Sequence, residues 1–107
     1  MKVDNLFQSI PKDFKNEFFE SIINNENFKL ERIISKGHST PKGEWYDQDM
    51  NEWVILLKGA AELKIEGQEK NTRLNAGDNL LLPAHLKHRV EWTAPDTETF
   101  WLALHFK

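Results

Sequence analysis

The chain has 107 residues, enough for one domain that buries roughly two-thirds of its unfolded surface. Hydrophobic residues at 39% and aromatics at 11% exclude a disordered chain, and the absence of cysteine excludes disulfides, thiolate zinc sites and a Cys nucleophile. Lys and Arg number 14 against 17 Asp and Glu, a net charge of −3 with the signs interspersed, so the basic stripe that nucleic-acid binding needs is missing.

The opening Met1-Lys2-Val3-Asp4-Asn5 lacks the apolar core of a signal peptide. The longest apolar run, Trp53 to Leu57, is five residues, far short of a membrane span. A cytoplasmic protein with no membrane partner is expected.

Phe14, Phe18, Phe19, Ile22 and Ile23 recur at helical spacing, Pro11 suits a first turn, and Asn24-Asn25-Glu26-Asn27 stops the pattern. The spacing predicts an amphipathic helix over residues 12–24, preceded by an apolar arm of Leu6, Phe7 and Ile10. Residues 1–27 are then an arm and helix packed on a body of residues 28–107.

From Phe28 onward, short strands are broken by Gly, Pro, Asn and Asp. Phe28-Leu30-Arg32-Ile34 alternates with Glu31-Ile33. Residues 52–58 are apolar on both faces. Ala61-Leu63-Ile65 alternates with charged neighbours and ends at Gly67; Asn75-Ala76-Gly77-Asp78 marks another turn. Leu80 to Leu82 ends at Pro83, His88 to Thr93 follows, and Thr97 to Phe106 closes the chain. Seven or eight strands at this spacing predict an all-β sandwich or barrel. Strands apolar on both faces need cover on each side, from the expected helix or a second copy, so a homodimer is expected.

Gly77, five residues, Pro83, four residues and His88 resemble the second motif of the cupins, G-x5-P-x-G-x2-H-x3-N. Glu52, six residues and Gly59 resemble the end of the first, G-x5-H-x-H-x3–4-E-x6-G. The resemblance covers about residues 28–106. It implies a double-stranded β-helix, the jelly-roll or cupin barrel, with a site in its mouth. The departures are local. The first motif's two His positions fall on Tyr46 and Gln48, or on Trp45 and Asp47, and its opening Gly on Thr40. In the second motif His85 stands for the Gly and Trp92 for the Asn.

The resemblance implies a divalent ion, such as Zn, Mn, Fe or Ni, and places Glu52 and His88 at ligand positions. Gln48 adds an amide oxygen of the same parity as Glu52, completing an expected metal set of Gln48, Glu52 and His88. Tyr46, Trp92 and His85 are the candidates for touching a small-molecule ligand. Trp92 shares parity with His88 and Val90 and is expected to face the cavity, while His85, close to Pro83, also reads as a turn cap. His38 reads as solvated and His105 as a partly buried structural residue. Two functions follow. One is a cupin binding a divalent metal and a small molecule, with or without turnover. The other is a metal-free binding or dimerisation module in which Glu52 and His88 neutralise each other.

Overall fold

A computed structural model describes residues 1–107 as eight strands and no helix. The strands are β1 (Phe18–Asn24), β2 (Phe28–Ser35), β3 (Asn51–Lys58), β4 (Ala60–Ile65), β5 (Thr72–Asn75), β6 (Asn79–Leu82), β7 (His88–Thr93) and β8 (Thr99–Phe106). All pairings are antiparallel. A five-stranded sheet runs β1-β2-β8-β3-β6 and a three-stranded sheet runs β5-β4-β7. The two sheets enclose one apolar core, the all-β sandwich expected from the strand spacing and the jelly-roll that the motif resemblance implies. No helix is long and apolar enough to cross a membrane.

Alternation decides which side chains reach that core. β3 buries Glu52, Val54 and Leu56, β8 buries Trp101, Ala103 and His105, and β7 buries His88 and Val90. Ala61, Leu63 and Ile65 close the core from β4. Gly59, between β3 and β4, has φ +94°, and a Cβ there would lie 2.7 Å from the Cα of Thr99 and overlap its side chain. Only glycine lets the chain turn this close to β8, which gives the first motif's closing Gly its physical reason.

The helix expected over residues 12–24 is not formed. Phe18, Phe19, Ile22 and Ile23 fit a helical face, but the same residues favour a strand where a sheet edge offers a ladder. β2 offers one: pairing runs from Phe18↔Ile34 to Asn24↔Lys29, with Ile22 bulged out between Ser21↔Glu31 and Ile23↔Leu30. The Asn run read as a helix stop is the hairpin loop. Its Asn25 side chain accepts from the N–H groups of Asn27 and Phe28 at 2.9 and 3.1 Å, closing the turn.

Upstream of β1 the arm crosses the barrel as turns and bends. Buried Arg32 anchors it by donating to the carbonyls of Leu6, Gln8 and Ser9 and pairing with Glu20 at 2.9 Å. Phe7 meets Phe100 edge-on at 5.2 Å, and Phe14 stacks on His38 at 5.0 Å. His38 is therefore not solvated. Its Nδ1 accepts from the Lys36 N–H, so its Nε2 carries the proton donated to the Phe14 carbonyl at 3.0 Å.

The outer face of the large sheet keeps an apolar row. Leu30, Leu104, Trp53 and Leu81 are lateral neighbours across β2, β8, β3 and β6. The first three are half-buried and Leu81 is 54% exposed. We propose that a second copy covers this row. Light scattering is expected to give twice the chain's mass for the wild type and a monomer for Leu104→Glu. A wild-type monomer at every concentration contradicts the dimer.

Candidate functional site

Glu52 from β3 and His88 from β7 come from opposite sheets, and both side chains are about nine-tenths buried. His88 Nδ1 lies 2.9 Å from the Leu86 carbonyl, an acceptor only, so Nδ1 carries a proton. Nε2 is left facing Glu52 Oε1 at 3.4 Å. At that distance the contact is an ion pair longer than an ordinary hydrogen bond, and Oε1 has no hydrogen-bond partner. Burial disfavours the charged imidazolium, but the Glu52 carboxylate and the Leu86 carbonyl outweigh it and hold the His88 pKa above the usual histidine value. With a bare lone pair on Nε2 the two atoms would repel. The proton on Nε2 removes the conflict.

Tyr46 is placed by backbone. Its N–H donates to the His88 carbonyl at 2.8 Å and its carbonyl accepts from the His88 N–H at 3.1 Å, an isolated bridge that lays residues 46–48 across the mouth. The phenol ring then stacks on the imidazole, 5.6 Å between centroids. Burial, reinforced by the charges of Glu17, Glu52 and Glu31, pushes the Tyr46 hydroxyl up to about 12, so it stays a donor.

These residues line a cavity of about 50 Å³, space for roughly three to five waters. Gln48 lines it as well, over apolar walls that include Val54, Leu63 and Trp101. A larger groove of about 660 Å³ under the N-terminal arm shares none of this lining.

Three further polar residues enter the cavity that the sequence did not single out for it: Glu17, Glu31 and His105. Glu31 Oε1 and His105 Nε2 are 2.8 Å apart and buried, with Lys29 Nζ 3.3 Å from the other oxygen. Burial alone would raise the Glu31 pKa; the hydrogen bond from His105 and the Lys29 charge reverse that and hold it below the ordinary value. Glu17 comes from the arm, where Ser35 donates to its Oε2 at 2.6 Å and Trp101 donates to Ser35 at 3.2 Å. Burial raises its pKa, since a hydroxyl is a weak counterweight. Period-2 alternation could have found Glu31 and His105, which share parity with Ile33 and with Trp101. Glu17 had no such signal, because its segment read as helix.

Two expected ligand contacts are elsewhere. Trp92 does not line the cavity; it is 37% exposed and lies under the Arg73 guanidinium, 4.8 Å from its ring centre. The reason is a bulge. β4 pairs Glu62↔Trp92 and then Leu63↔Val90, leaving Glu91 extra, and one extra residue flips parity, sending Thr93 inward and Trp92 out. His85 has φ +66° and an exposed side chain on the rim, 3.0 Å from Asp47, while its N–H donates to the Gln48 carbonyl.

The three residues of the expected metal set line one cavity. Glu52 and His88 meet and Gln48 shares their cavity, but no three His, Asp or Glu side chains converge closely enough to hold an ion. Stable centres of this kind rest on three or more such donors, and a neutral amide is a poor substitute. The donor set does not fit a resident three-ligand metal.

A cupin-domain family model matches residues 31–105. The chain belongs to the cupin family. A solved structure from Ralstonia eutropha JMP134, provisionally named a mannose-6-phosphate isomerase, is 39% identical and covers 100% of this chain and 99% of its own, at TM-score 0.94. A cupin domain from Bordetella pertussis Tohama I is 21% identical over 91% of this chain and 99% of its own, at TM-score 0.67. The Schizosaccharomyces pombe Cnp3 cupin domain is 13% identical over 83% and 59%, at TM-score 0.71. These last two speak for the fold alone. No curated protein matches. In this cupin the second motif's His88 is in the cavity, whereas the residue at its Asn position, Trp92, is not.

Two measurements check the electrostatics. Tyr46 is the one tyrosine, so the phenolate absorbance reads it alone. About a tenth of the full amplitude is expected at pH 11, against about nine-tenths for an ordinary phenol. His88 gains its proton's partner on folding, so its folded pKa exceeds the unfolded one. The stabilisation is therefore complete below about pH 6.5 and is lost as pH rises through the folded value. Thermal unfolding is expected to show wild type exceeding Glu52→Gln by more at pH 6 than at pH 9. An equal gap at both contradicts the pair.

Proposed function

We propose that this cupin binds a small polar organic molecule in the mouth of its barrel without a resident metal, and that Glu52, His88 and Tyr46 meet it. The observation that carries the reading is Glu52 Oε1, a buried carboxylate oxygen with no hydrogen-bond partner, on a residue that lines the cavity. A buried acceptor left unmatched costs roughly 1–3 kcal/mol, more when charged, and a ligand O–H or N–H would supply what is missing. The protonated Nε2 of His88 and the Tyr46 hydroxyl can donate to the same ligand, and the Glu52–His88 pair can give or take one proton there.

The name of the Ralstonia relative refers to a phosphorylated sugar. No Lys or Arg lines this cavity, while three carboxylates do, so nothing there favours a phosphate. A phosphosugar is therefore not proposed for this chain.

A second reading has one observation in its favour. Bonds of about 2.0–2.1 Å at a tetrahedral angle set donors roughly 3.4 Å apart, which is the Nε2–Oε1 separation. A cation shared by those two atoms would be a weak, water-rich site.

Elemental analysis of untagged protein after incubation with Mn²⁺, Fe²⁺, Ni²⁺ or Zn²⁺ and desalting separates the two. Less than a tenth of an equivalent of metal is expected. One equivalent that disappears in both Glu52→Gln and His88→Ala overturns the metal-free reading.

A further inference from the structure

The unmatched groups in the cavity are acceptors. Glu31 is answered by His105 and Lys29. Glu52 faces His88 but leaves Oε1 without a hydrogen bond, although the residue is only 8% exposed. Glu17, which lines the cavity, makes no salt bridge: Ser35 donates to its Oε2, and its Oε1 makes no hydrogen bond within the chain. The two carboxyls belong to different parts of the chain. Glu52 is in the first cupin motif, whereas Glu17 comes from the arm and lies outside the matched family segment of residues 31–105. The arm is not loosely attached, since Arg32 ties three of its carbonyls to the barrel. Tyr46 and Trp101 line the same cavity as the two carboxyls.

We propose that the ligand of this cavity is a small primary ammonium compound, held by the carboxyls of Glu17 and Glu52 against the Tyr46 and Trp101 rings. This rests on the reading of the barrel mouth as a ligand site and adds the ligand's chemical class. An ammonium carries three N–H donors and a charge, so it answers two unmatched carboxyl oxygens at once; an alcohol carries one donor. Charge-assisted hydrogen bonds are about twice as strong as neutral ones, and aromatic faces attract cations further. The cavity admits two to four carbons beside the nitrogen, on the scale of three to five waters. Glu17 is then a specificity residue that the N-terminal arm delivers to the barrel.

The test uses NMR of the Tyr46 ring, the chain's one tyrosine, during titration of the full-length protein with ethylammonium, 1-propanol, propionate or Mn²⁺. Ethylammonium is expected to shift the ring signals saturably, at least tenfold more tightly than 1-propanol, with propionate giving no shift. Glu17→Gln and Glu52→Gln are each expected to weaken ethylammonium at least tenfold, and Glu66→Gln, on the surface, to change nothing. The wild-type comparison stands even if a variant fails to fold. Propanol binding as tightly as ethylammonium overturns the ammonium class but leaves the ligand site standing. Silence from all four probes at Tyr46 overturns both. Stoichiometric Mn²⁺ broadening that ethylammonium cannot reverse reassigns the carboxyls to a divalent ion and overturns the proposal.

Discussion

A carboxylate inside a β-barrel cannot be left alone, and most of the site's construction answers that constraint. Glu52 enters the core because β3 alternates strictly, so the period that buries Val54 and Leu56 also buries it. An isolated ionised carboxylate in such a place would cost far more than a domain's net stability. His88 arrives from the other sheet with Nδ1 committed to the Leu86 carbonyl, which leaves Nε2 to face the acid. Tyr46 then packs on the imidazole and keeps it in place. The charge is answered, while one carboxylate oxygen still lacks a hydrogen bond.

The same logic recurs across the mouth. Lys29, His105, Glu52 and Leu82 are lateral neighbours on β2, β8, β3 and β6, and Glu31 reaches over to His105 from β2. Two acid–imidazole pairs thus share one cavity, built from sheet positions whose geometry is fixed by ladder hydrogen bonds rather than by loops. Glu17 differs. It is brought in by irregular chain anchored through Arg32, and its counterpart is only the Ser35 hydroxyl. The cavity is thus built from sheet positions on one side and supplied with a carboxyl by a tethered arm on the other.

Much of this was legible in the sequence. The strands from β2 to β8, the turn glycines and the inward Glu52 and His88 followed from period, turn residues and the two motif ends. The failures have specific physical causes. Phe18, Phe19, Ile22 and Ile23 fit a helical face by spacing and a strand by residue type, and the free edge of β2 decides between them. Trp92 has the right parity for the cavity until Glu91 bulges, and a single unpaired residue reverses every orientation beyond it. Gln48 lines the same cavity as Glu52 and His88, while no three His, Asp or Glu side chains cluster there. Glu31 reads only as a strand residue alternating with Leu30 and Arg32, without a face assigned, and the structure buries it. Arg32 is covered by the arm, whose carbonyls it holds, a long-range contact that no local pattern encodes.

The central claim is that Glu52 and His88 are energetically coupled within the barrel. A double-mutant cycle with Glu52→Gln, His88→Gln and the double variant, read by urea unfolding at pH 6, measures that coupling directly. A favourable interaction of about 1 kcal/mol or more is predicted, as expected for a desolvated, charge-assisted pair. Additive single effects, with coupling indistinguishable from zero, would contradict the account.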